Sequence, residues 1–159
     1  MIMNMEEARS FVSRFQAKAP VDVRVIAENL GLKVWEMSDF PENVSGKLFR
    51  DSNGGSSGFS IGVNTFEPYL RKRFTVAHEV AHFLLHCELI GSGIVDDALY
   101  RSQLNSQVET EANRLAADIL MPYTLIERLQ KEGTRSVDGL AKVLEVSPVA
   151  MKIRLGVPV

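Results

Sequence analysis

Arg73-Phe74-Thr75-Val76-Ala77-His78-Glu79-Val80-Ala81-His82-Phe83-Leu84-Leu85-His86 is the stretch on which the reading of this chain turns. Phe74, Ala77, Ala81, Leu84 and Leu85 recur at helical spacing and form one apolar stripe, with His78 and His82 along its border. Positions four apart lie one turn above each other, so the two imidazoles can aim at one ion about 2 Å away. Glu79 is rotated by about 100° from His78. That places its carboxylate beside such an ion, where it can take a proton from an attacking water. The plain alternative is a helix whose histidines only pack or solvate, because five-residue matches arise by chance. Against that stands the setting: the pair sits where the core holds it and a cleft can open, and it comprises two of the chain's three histidines.

His86, the third, lies eight residues from His78, about 12 Å along the same axis. Three side chains in line up a straight helix cannot surround one tetrahedral ion. The spacing also differs from patterns whose third histidine follows the second by six residues. A structural or supporting role is the better reading for His86, and buried packing for its neighbour Cys87.

A hydrolytic zinc site needs a third protein ligand and an open position. The predicted helix Gln107 to Leu120 offers Glu109 and Glu111 beside an apolar stripe of Val108, Ala112, Leu115, Ala116 and Ile119. At about 100° per residue, Glu109 falls at the border of that stripe, while Glu111 points about 160° away from it, toward solvent. Glu109 is therefore the chosen ligand rather than an ordinary first-turn glutamate at a positive helix end. Ala112 and Ala116 would permit close helix approach, and Asn113 is placed to support the carboxylate. The expected ion is Zn2+, with Mn2+ as the other candidate. Tyr69, Tyr100, Tyr123 and His86 are the candidate donors to a developing oxyanion.

Outward from these helices the pattern is helices, a small sheet, then helices, which predicts an α+β fold. Glu6 to Ala17 reads as a helix, and Pro20-Val21-Asp22 opens a second that Gly31 closes. Leu32 to Trp35, Val44 to Phe49 and Phe59 to Val63 read as strands. The Gly/Ser-rich connection 51–58 is expected to be mobile. Pro68 starts the helix that ends near Cys87, a loop runs from Gly91 to about Ser106, and short helices follow at Leu125–Lys131, Val137–Leu144 and Pro148–Leu155. The expected division is a metallopeptidase core over 1–122 and a helical region over 123–159 packed on it.

Composition bounds the partners. At 159 residues and 45% hydrophobic content the chain suits one compact domain with a real core. A net charge of −2 argues against a broad commitment to nucleic acid or anionic membrane. One cysteine permits no internal disulfide and no multi-cysteine metal cluster. The acidic start and the lack of a long apolar run predict a cytoplasmic protein with no membrane association.

The stretch Arg73 to His82, followed by Glu109-Thr110-Glu111-Ala112-Asn113-Arg114-Leu115-Ala116-Ala117-Asp118-Ile119-Leu120-Met121-Pro122, resembles the ImmA/IrrE family of metallopeptidases. Val21 to Val34 is similar to the family's opening helix and strand, and Ser136 to Leu155 to its closing helices. The resemblance implies His78, His82 and Glu109 as zinc ligands and Glu79 as general base. It implies a small sheet against the active-site helix, whose edge strand, taken as Phe59 to Asn64, receives an extended substrate. It also implies a helix-turn-helix transcriptional repressor as the protein cut. Leu115, where an aromatic is common, and Val80-Ala81 depart from the family pattern without touching a ligand. The chain lacks the long sensor domain of some members, so signal sensing is not expected of it.

Val137 to Pro148 followed by Val149 to Leu155 itself reads as helix-turn-helix, with Ser147 as cap and Pro148 in the first turn. Lys142, Lys152 and Arg154 are diluted by Asp138 and Glu145, so a packing or docking role is favoured over DNA binding. The leading function is thus a zinc endopeptidase acting on a repressor. The alternatives are a non-catalytic module that sequesters a regulator around a structural metal site, and a DNA-binding protein.

Overall fold

In the computed structural model, which describes residues 2–90, 94–96 and 106–159, the chain order is α1 (Met5–Ser13), α2 (Val23–Asn29), β1 (Leu32–Met37), β2 (Gly46–Arg50), β3 (Phe59–Asn64), α3 (Tyr69–His86), β4 (Ile94–Asp96), α4 (Ser106–Leu120), α5 (Tyr123–Lys131), α6 (Val137–Leu144) and α7 (Pro148–Leu155). The fold is α+β. Asn4 starts α1 through a capping box with Glu7, each side chain bonding the other's backbone N–H. The helix ends at Ser13, short of the expected Ala17. Gln16 turns away to donate to the carbonyls of Asp118 and Ile119 at 2.8 and 2.9 Å, tying α1 to the end of α4. Asp22 caps α2, and Gly31, at φ 77°, closes it in the left-handed region that a side chain would disfavour.

The sheet runs β1-β3-β2-β4, with β1 parallel to β3 and the other pairs antiparallel. Phe59–Asn64 is therefore an interior strand, not the edge expected of it; among the described residues the edges are β1 and β4. Burial gives the reason. Ser60, Ile61, Gly62 and Val63 are buried in succession, the mark of a strand covered on both faces, whereas β1 exposes three of its six residues. β4 lies within the stretch read as a loop: three residues flanked by glycine carry no legible alternation. The connection 51–58 is folded back rather than free. Asp51 N–H donates to Gly58 O, and the Gly31 carbonyl accepts from both the backbone and the hydroxyl of Ser57.

α3 occupies the centre. From Arg73 to Leu84 only Phe74 is less than buried, so the single stripe read from sequence widens to include Val76, Val80 and Phe83. A helix covered on all sides belongs to the core. β2 and β3 lie against one side of it, with α1, α2 and α4 around the rest. Gly46 sets how closely the sheet approaches: a Cβ there would collide with Thr75 Cγ2 and stand 2.8 Å from the Gly62 carbonyl oxygen. At the other end, the Arg73 guanidinium donates to the carbonyls of Val21, Leu144 and Glu145 at 2.9, 3.2 and 3.1 Å. That buried cation joins α3 to the end of α6, and Leu140, Leu144 and Met151 share the common hydrophobic core.

Candidate metal centre

The centre is built from two helices. α4 turns Ala112, Leu115, Ala116 and Ile119 into the core against α3, and the two alanines leave room for close approach. One turn before Ala112 the same face carries Glu109, 4% exposed. Its Oε1 lies 2.8 Å from His82 Nε2 and its Oε2 3.3 Å from His78 Nε2, while the two Nε2 atoms stand 3.0 Å apart. All three donor groups fall within 4.8 Å of one another.

These separations suit a small divalent cation. Metal–nitrogen bonds of about 2.0–2.1 Å in tetrahedral array put neighbouring donors about 3.3 Å apart, close to the spacings found. The donor set, two imidazoles and a carboxylate, is one that can hold a divalent metal ion. Burial adds weight: His78, Glu79, His82 and Glu109 are all buried, and so many ionisable groups away from water are costly unless something compensates them. Glu79 is fully buried beneath the sheet, with Oε2 3.8 Å from the Cβ position of Gly46.

Glu111 departs from the expectation that it simply faces solvent. Its Oε1 accepts from His86 Nε2 at 2.8 Å, and His86 Nδ1 stands 3.1 Å from His82 Nδ1. Asn113 is exposed rather than folded over Glu109. The role that sequence reasoning gave to Asn113 is open to the His86–Glu111 pair, and the signal was present in the second four-residue step from His82 to His86.

Among the candidate oxyanion donors, Tyr69 donates its hydroxyl to Glu145 Oε1 at 2.6 Å, a bond that raises the phenol's pKa. Tyr123 donates to the Arg154 carbonyl at 3.3 Å. Tyr100 lies outside the described residues. Phe74, one turn before His78, brings its ring centroid 6.0 Å from that imidazole. It also lines an apolar groove of about 560 Å³ with Leu70, Met121, Val149 and Ile153.

Residues 27–156 match the family model described as the IrrE N-terminal-like domain, a peptidase family. The chain belongs to this family. The radiation response metalloprotease IrrE of Deinococcus radiodurans is 40% identical over 90 residues, which cover 55% of this chain and 27% of that protein. The chain thus spans about a quarter of that relative's length. The fold is also similar to that of a Mycobacterium tuberculosis transcriptional regulator, with a TM-score of 0.64 over 96% of this chain and 46% of that one at 14% identity. This is a likeness in fold alone. Family and site geometry agree on the coarse statement: this is a metallopeptidase-family chain carrying a possible His-His-Glu metal site. Among the described residues no helix is long and apolar enough to cross a membrane.

Proposed function

We propose that this chain is a zinc-dependent endopeptidase, with His78, His82 and Glu109 as the metal ligands and Glu79 as the general base. The observation that carries the reading is the buried convergence of two imidazoles and a carboxylate from another helix, with a second buried carboxylate one residue along. A divalent cation held there would lower the pKa of water toward about 7 and polarise a peptide carbonyl. Glu79 would take the proton from the attacking water and pass one to the departing amine. Mn2+ could substitute, since imidazole and carboxylate accept several divalent ions.

The substrate side rests on the sheet and the groove. An extended peptide adds at an edge, and β4 is the edge beside the centre: it pairs with β2, Gly46 opposite Asp96, and Gly46 faces Glu79. The groove reached past Phe74 would take apolar side chains. The proposed substrate is a helix-turn-helix transcriptional repressor, cut in the cytoplasm. Direct DNA binding finds little support in the last helices. Arg154 is engaged with the Met121 carbonyl and Asp118, both at 2.8 Å, and stacks on Tyr123.

The test is Glu79→Gln. It should retain stoichiometric zinc and the wild-type melting profile while abolishing cleavage of purified repressor candidates, followed by mass spectrometry. Undiminished cutting overturns the mechanism. Zinc without cleavage in the wild type, across repressors that the protein binds, would favour the sequestering module instead.

A further inference from the structure

The pair His86 and Glu111 stands behind the centre and is not part of its donor set. Glu111 is a carboxylate with 40% of its side chain exposed, so it is acceptor-only where it meets His86. The proton in that bond therefore sits on His86 Nε2. In the tautomer with its proton on Nε2, His86 has a bare Nδ1 that can only accept. Its neighbour at 3.1 Å is His82 Nδ1, which must then carry the hydrogen. That assignment leaves the His82 Nε2 lone pair facing His78 Nε2 and the Glu109 carboxylate. A bare His82 Nε2 beside the Glu109 carboxylate is arranged to receive a cation.

We infer that Glu111 and His86 are positioning residues, which fix the tautomer and ring orientation of His82 from the surface inward and so prepare its Nε2 to hold a metal ion. The inference rests on the proposed metal centre and extends it by one relay: Glu111 to His86 to His82. A ligand histidine whose far nitrogen donates to a partner is oriented and made more basic, and loss of such partners lowers metal affinity about 10–100-fold. The two elements involved are those that supply the ligands. α3 carries both relay histidines, and α4 carries Glu111 two residues from Glu109.

Zinc affinity, measured by chelator competition on the purified full chain, should fall about 10–100-fold in His86→Phe. Glu111→Leu should fall in the same direction, and Glu111→Gln, which keeps an acceptor oxygen, should restore most of the loss. Because Glu111 is half-exposed, its two variants serve even if His86→Phe fails to fold. Long-range 1H–15N correlation of the wild-type imidazoles in the zinc-loaded protein gives a readout that mere packing would not set: His86 protonated at Nε2 and bare at Nδ1. Protonation of His86 at Nδ1, or equal affinities in Glu111→Leu, Glu111→Gln and wild type, overturns the relay. Glu109→Ala separates the two readings. If it weakens zinc binding while His86→Phe and Glu111→Leu do not, only the relay falls; if it too binds as wild type, the centre itself is wrong and the relay goes with it.

Discussion

α3 and α4 contribute to the same site but are different kinds of helix. α3 is enclosed on every side from Thr75 to Leu84, by the sheet and by three helices, and His78 and His82 need only their four-residue spacing to face one another. α4 buries one face and exposes the other, and its Glu109 matters only because that face is pressed against α3. A ligand pair made by helical period is robust to small shifts of the surrounding elements. A ligand delivered across a helix interface depends on packing many residues away, at Leu115 and Ile119 and at the α4 C-terminus held by Gln16 and Arg154.

The sharpest way to break this comparison is to remove one ligand from each helix. His82→Ala deletes a donor and the inner end of the relay, and zinc should become undetectable by equilibrium dialysis. Glu109→Ala leaves the imidazole pair intact and should keep weak, exchangeable binding. The reverse ranking would mean that α4, not α3, dominates the site. Next in size, Leu115→Ala should destabilise the protein by about 2–5 kcal/mol, as for other fully buried leucines. It should also weaken zinc binding by loosening Glu109, read by melting with and without metal; a stability loss with unchanged zinc affinity would uncouple α4 packing from the centre. The smallest effect expected is Gly46→Ala, on the α3 side. The new Cβ has no room between Thr75 and the Gly62 carbonyl, and relief by a small shift of β2 should cost about 1–3 kcal/mol. Cleavage should fall more than zinc affinity, because Gly46 faces Glu79 and not the ligands; wild-type cleavage rates would show that the sheet does not position that carboxylate.

Much of this was legible in one sequence for a definite reason. The His78–His82 spacing, the Asp22 start and the Gly31 stop are local signals, each expressed within a turn or two of chain. The sheet order was not. Phe59 to Val63 and Leu32 to Trp35 both read as strands, and only the covering of both faces by other elements makes β3 interior and β1 an edge. β4 was missed because three residues are too few to show a period. The extent of burial around α3 was likewise invisible, since Val76, Val80 and Phe83 could have faced solvent or core.

The sequence by itself determined which side chains can share a helical face: two imidazoles one turn apart, a carboxylate rotated beside them, and Glu109 rather than Glu111 at the border of an apolar stripe. Tertiary structure decided what those faces meet. It brought Glu109 to the Nε2 atoms, set Glu111 against His86, and placed Glu79 under Gly46. Helical period acts over five residues and is written in the chain, whereas the meeting of two helices is settled by how all their neighbours pack.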